Sequence, residues 1–172
     1  SDKVSEDYLS CAAEVGQLCA SAGITIIYGG GRIGLMGALA DAALGAGGKV
    51  IGVIPEFLNK TEIAHADVTS LIITSDMHQR KAKMAEYADA FIVLPGSVGT
   101  LEEMFEVIAW KQLKRIDKPI ILTNLNHYWD PIVQMLDVMV DESFLSKKNR
   151  DLVQIIDSVE AILPTIGINS SL

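Results

Sequence analysis

Six short runs of apolar, largely β-branched residues recur along the chain, at 24–28, 49–54, 70–73, 90–94, 119–123 and 152–156, with longer helical stretches between them. They lack the in-out alternation of a strand with one wet face. A strand that is apolar throughout must be covered on both faces, and helices that alternate with such strands supply the cover. The pattern predicts a doubly wound, Rossmann-like parallel α/β sheet with helices on both faces. At 172 residues the chain accommodates one such domain, 1–172, and no linker, repeat or composition break divides it.

The helical stretches carry their own signals. Leu9, Ala12, Ala13, Gly16 and Ala20 keep helical spacing over 6–21, and the Ala- and Gly-rich stretch 34–46 suits close packing on a sheet. Asp130-Pro131 reads as an N-cap followed by proline at the first helical position, and Asp157 before Ser-Val-Glu-Ala-Ile-Leu repeats the cap signal. The chain opens with a helix, whereas a doubly wound sheet winds outward from a central opening strand. The expectation is a missing first strand, and with it about ten or more residues ahead of Ser1.

Charge and cysteine usage narrow the function classes. With 22 acidic against 14 basic residues the formal charge is −8, which speaks against a nucleic-acid polymer as partner while allowing a small basic pocket for one phosphate. No apolar run approaches the ~18 residues of a membrane span and no signal peptide is visible, so no membrane partner and a cytoplasmic location are expected. Cys11 and Cys19 on one helix are separated by ~12 Å of rise, too far for a disulfide, and read as small core residues. His65, His78 and His127 are scattered without ligand spacing, and neither a metal nor a cofactor is expected.

Two glycine loops concentrate the chemistry. The first, Tyr-Gly-Gly-Gly-Arg-Ile-Gly-Leu-Met-Gly at 28–37, joins a strand to a helix, and its Gly30 and Gly31 let backbone approach a ligand and turn amides toward an anion. Gly29, Gly31 and Gly34 formally satisfy a dinucleotide fingerprint with Glu56 as the ribose acid, although Glu56 follows Pro55 in what reads as a solvated loop. The second, Leu-Pro-Gly-Ser-Val-Gly-Thr-Leu-Glu-Glu at 94–103, again leaves a strand and opens a helix. The amides of Gly96, Ser97, Val98, Gly99 and Thr100, with the Thr100 hydroxyl as a further contact or cap, can hold one phosphate. Two such loops at the carboxyl ends of parallel strands predict a ligand crevice.

Two helices add charged side chains. In the helix capped by Ser75 or Asp76, Met77, Arg80, Lys81 and Met84 fall at i, i+3, i+4 and i+7, so both cations lie on or beside the face to be buried, while Lys83 points to solvent. Arg80 suits bidentate recognition of a phosphate or charge stabilisation at a reacting centre. Glu103 lies in the first turn of a helix over 100–114, where Leu101, Met104, Phe105 and Ile108 make one apolar arc and Val107 and Trp110 lie opposite. A helix apolar almost all round needs two buried faces, and a homodimer supplies the second. Glu103 would then be partly desolvated and fit for acid-base work, whereas Glu102 and Glu106 read as favourable charge near a helix N-terminus.

These residues resemble a known family, the Lonely Guy (LOG) family of cytokinin riboside 5′-monophosphate phosphoribohydrolases, often mislabelled lysine decarboxylases. Its Pro-Gly-Gly-x-Gly-Thr-x-x-Glu is similar to 95–103, its Met-His-x-Arg-Lys to 77–81 and its Tyr-Gly-Gly-Gly-x-x-Gly-Leu-Met-Gly to 28–37, the shorter dimeric class being the nearer match. The resemblance implies catalytic roles for Arg80 and Glu103, phosphate contacts for Lys81 and the 97–100 loop, and a substrate contact for Glu62. It implies hydrolysis of the N-glycosidic bond of an adenosine 5′-monophosphate, plain or N6-prenylated, to free base and ribose 5-phosphate. Two residues depart from the family pattern. Ser97 replaces a glycine, at a cost of about 1 kcal/mol if the position needs positive φ. Ala109 stands where plant members often carry Thr or Ser. A non-catalytic nucleotide-binding or carrier protein of the same fold would keep both loops and could dispense with Arg80 and Glu103. A dinucleotide oxidoreductase would leave the second loop unexplained, and lysine decarboxylation would need pyridoxal phosphate on a buried lysine.

Overall fold

The computed structural model describes residues 4–59 and 64–168. The chain divides into two compact units, Ser1–Ala88 and Asp89–Leu172. All six predicted strands form, every strand pairing is parallel, and the class is the expected α/β.

The first unit runs α1 (Glu6–Ser21), β1 (Ile26–Tyr28), α2 (Gly34–Gly45), β2 (Val50–Pro55), a 3-10 turn at Glu56–Leu58, β3 (Ser70–Thr74) and α3 (Met77–Tyr87). Strand β2 is central, with Ile26 opposite Val50 on one side and Ile51 opposite Ser70 on the other. Its Val50, Val53 and Ile54 are buried, as a strand flanked and covered on both faces requires. Helices α2 and α3 contact the sheet, and α1 packs on α2. The small residues predicted to pack closely do so: a Cβ at Gly16 would collide with the Leu39 carbonyl oxygen. Cys11 and Cys19 both lie on α1 with no disulfide between them, and burial pushes the Cys19 thiol pKa up.

The second unit runs β4 (Phe91–Val93), α4 (Val98–Gln112), β5 (Ile120–Thr123), a 3-10 turn at Leu125–His127, α5 (Asp130–Asp141), α6 (Lys147–Arg150), β6 (Val153–Ile156) and α7 (Ile162–Thr165). All four residues of the central β5 are buried, and the Thr123 hydroxyl there is satisfied by donating to the Val93 carbonyl at 2.6 Å. Met104, Val107 and Ile108 of α4 close the core against Val93, Ile120, Leu122, Trp129 and Val153.

Four local expectations need correction. Helix α4 begins at Val98, with Ser97 in the N-cap position, so Thr100 lies inside the first turn and caps nothing. Helix α5 begins at Asp130 itself, one residue earlier than the cap reading placed it, with Trp129 preceding it. The Asp157 signal opens no helix: 157–161 form bends and turns, and α7 starts only at Ile162. A helix from 158 would have put Pro164 in its interior, where its ring clashes with the carbonyl four residues back; starting at Ile162 leaves that proline in the first turn. Finally, Val107 is buried and Trp110 packs on the core, while Phe105 is 38% and Leu113 72% exposed. The open face of α4 is therefore Phe105, Ala109 and Leu113, at i, i+4 and i+8.

Replacing Gly16 with Ala forces α1 and α2 apart along backbone that cannot yield. Overpacking of this kind costs about 1–3 kcal/mol, to be read as a lowered urea midpoint at unchanged slope.

Candidate active site

In the first unit, the residues following β1 and those near the end of β2 hold a guanidinium. Asp76 caps α3 by accepting the Gln79 amide at 2.8 Å, and that bond, with a second from the Ser75 hydroxyl, lowers its carboxyl pKa. One turn on, Arg80 is half-buried, and its Nε donates to the Val53 carbonyl at 3.0 Å while Nη1 lies 3.8 Å from the Met77 sulfur. The same guanidinium packs onto Gly29, where any Cβ would collide with Nη2. Lys81 is nine-tenths buried, so it is no solvated surface lysine, whereas Lys83 pairs with Glu86 at 2.9 Å on a more exposed face and lies over the Tyr87 ring.

The first glycine loop is clamped from an unforeseen direction. Gly30 has φ +77°, in the region that favours glycine. Its carbonyl accepts the backbone N–H of His65 at 2.9 Å, and Gly31 forms an antiparallel bridge with Ala64. His65 is buried, with Nε2 2.9 Å from an Asp41 carboxylate oxygen and Nδ1 accepting the Asp67 amide at 3.2 Å, a pattern that makes Nε2 the protonated nitrogen. Tyr28 is buried at the start of the loop. Its phenol, with no hydrogen-bond partner among the described residues, is pushed up to about 12 by burial first and the Asp41 charge second.

In the second unit, the turn after β4 leads into α4. A Cβ at Gly96 would collide with Thr100 Oγ1, so only glycine fits there. Ser97 takes φ −105°, an ordinary backbone conformation, and the cost expected for a strained serine does not arise. Its side chain makes no cap hydrogen bond, leaving the first-turn amides of Val98, Gly99 and Thr100 without a partner inside the helix. The Tyr128 hydroxyl donates to the Gly96 carbonyl at 2.6 Å. Glu103 is half-buried in the second turn, Glu102 is exposed, and Glu106 is half-buried.

The structure thus brings Arg80, Gly29, Gly30 and Gly31 together in one unit and Gly96, Ser97, Val98, Gly99, Thr100 and Glu103 in the other. Glu62 lies outside the described residues. Glu56 sits exposed on the 3-10 turn after β2, where a dinucleotide ribose contact has no support. Three contributors escaped the sequence reading: Gly29 as the seat of Arg80, His65 as the clamp on Gly30, and Tyr128 on Gly96. Of these only Gly29 carried a signal, its place in the glycine run.

Gly29→Ala displaces the far end of a flexible side chain and not backbone. The expected outcome is a melting temperature close to wild type, with turnover lowered about 100-fold, as a displacement of about 1 Å in a positioned side chain can cause.

The sequence model described as "Possible lysine decarboxylase" matches residues 36–166. A cytokinin riboside 5′-monophosphate phosphoribohydrolase of Rhodococcoides fascians is 44% identical over 160 residues, covering 92% of this chain and 81% of that protein. One of Arabidopsis thaliana with the same description is 45% identical over 146 residues, covering 85% and 68%. Among solved structures, the molybdenum cofactor binding protein of Rippkaea orientalis superposes with TM-score 0.71 at 25% identity, over 96% of this chain and 90% of that one. The carrier protein for the same cofactor from Chlamydomonas reinhardtii, at 21% identity and TM-score 0.71, shares the fold. With three ordered motifs, a matching family model and relatives of this identity, the chain belongs to the Lonely Guy family, the group whose sequence model bears the lysine decarboxylase description.

Proposed function

We propose that this chain hydrolyses the N-glycosidic bond of an adenosine 5′-monophosphate, N6-prenylated forms included, releasing the free base and ribose 5-phosphate. The names of its relatives give the reaction class. The observation that carries the reading within this chain is the seating of Arg80, fixed through Nε on the Val53 carbonyl and given its place by Gly29. A guanidinium held this firmly beside a glycine loop is preorganised for an anionic substrate.

Cleavage of such a bond passes through an oxocarbenium-like ribose, which calls for a carboxylate near the anomeric carbon and a placed water. Glu103 takes that role, orienting or deprotonating the water and offsetting the sugar's positive charge. Arg80 anchors the nucleotide and assists departure of the base. The amides at 96–100 and the ammonium of Lys81 bind the phosphate, and Gly30 and Gly31 lend backbone contacts. Glu62 contacts the substrate by the family resemblance. Phosphate binding remote from the bond broken contributes positioning at the reacting carbon. The enzyme works as a single nucleotide-binding domain in the cytoplasm, without metal or cofactor.

A homodimer completes the assembly. The Phe105, Ala109 and Leu113 face of α4 lies open on a helix whose other side is committed to the core, and an apolar stripe of that kind calls for a partner. Phe105→Asp should turn a dimer into a monomer on size-exclusion chromatography with light scattering; an unchanged mass removes this face from the interface.

A carrier function is the second reading, favoured by the molybdenum cofactor proteins of the same fold. Chromatographic detection of free base from AMP or isopentenyladenosine monophosphate separates the two, since a carrier releases none. Lys81, being buried, warrants a control with pyridoxal phosphate and lysine, from which no amine product is expected. Glu103→Gln should retain nucleotide binding within a few-fold and lose about 100- to 10,000-fold in turnover, the range for removing an acid-base group. Near-normal turnover would take Glu103 out of the mechanism.

A further inference from the structure

The second glycine loop is held by a side chain from a different part of the chain. Tyr128 follows the 3-10 turn after β5, and its hydroxyl reaches across 32 residues to the Gly96 carbonyl at 2.6 Å, a short hydrogen bond. The residue is 41% exposed, and its neighbours are firmly held. Its ring meets Trp129 edge-on with centroids 4.8 Å apart, and Trp129 is buried. The Trp129 amide donates to Asn124 Oδ1, and Asn124 Nδ2 donates to an Asp130 carboxylate oxygen, each at 2.7 Å. The Asn124 amide donates in turn to the Ile156 carbonyl of β6, also at 2.7 Å. The turn from β5 to α5 is therefore a bracket with a hydroxyl at its tip.

A trans peptide unit is planar, so its C=O and N–H point in opposite directions. Fixing the Gly96 carbonyl on Tyr128 turns the Ser97 N–H to the other side of the loop. Glycine, with no Cβ, offers little resistance to a flip of the peptide that follows it. A flipped unit would face an anion with a carbonyl oxygen in place of an N–H, turning attraction into repulsion.

We propose that Tyr128 is a positioning residue for the substrate phosphate, locking the Gly96–Ser97 peptide with its N–H turned to the anion. This rests on the loop's being the phosphate site of the proposed hydrolase. The motif at 95–103 does not contain residue 128, and nothing in it announces the contact.

Tyr128→Phe deletes the hydroxyl and keeps the ring on Trp129. The test compares wild type and variant for kcat and KM on AMP, for competitive inhibition by inorganic phosphate, and for melting temperature. Loss of one hydrogen bond predicts KM and the phosphate inhibition constant both raised roughly five- to tenfold, with kcat within about twofold. An unchanged phosphate constant overturns the proposal, and so does a joint fall in kcat and melting temperature without it, which marks a merely structural role. Should wild type release no base from AMP, the hydrolase reading fails by itself. Calorimetric titration of both proteins with inorganic phosphate then decides the role of Tyr128: weaker binding by the variant supports it, and equal or absent binding overturns it.

Discussion

In a parallel sheet every strand points the same way, so each crossover leaves from one edge of the sheet and returns to the opposite one. The carboxyl ends of neighbouring strands are thereby gathered along one edge, and whatever chemistry their turns carry is gathered with them. In the first unit the turn after β1 supplies Gly29 and β2 supplies the Val53 carbonyl, and Arg80 is seated on both. In the second, the turn after β4 supplies Gly96 and the turn after β5 supplies Tyr128, and the two are joined by a hydrogen bond. In each unit a glycine turn meets a polar side chain: in the first Gly29 leaves room for Arg80, which is tied to the adjacent strand, and in the second Gly96 accepts a hydrogen bond from Tyr128.

Strand positions were legible because burial on both faces favours apolar residues and admits a polar one only with a partner, as Thr123 has in the Val93 carbonyl, and the apolar run is then the strand. The fully buried β5 is the plainest example. Helix N-termini were less legible. The signal at Asp157 is chemically sound, yet Pro164 seven residues on forbids the helix it announces. The wheel of α4 gives angles between side chains but not which arc faces the sheet; the structure buries Val107 and packs Trp110 on the core while Phe105, from the opposite arc, stays open. That choice depends on the strands opposite, and their packing is not a local property of the helix.

The site divides in the same manner. Residues whose roles come from backbone geometry and charge, such as Gly30, Gly96 and Arg80, stand in motifs that can be read. His65 and Tyr128 act on loops 35 and 32 positions away, through one hydrogen bond each. Nothing around either residue in sequence points to its target, since contacts of this range are created by the topology and have no periodicity to betray them.

Ser97 bears on how such a loop can drift over evolutionary time. Its backbone angle suits any amino acid and its side chain faces water, so nothing steric in this chain demands a glycine there. A different side chain can hang from that spot without refolding the helix behind it, whereas Gly96, hemmed in by Thr100, has no such latitude.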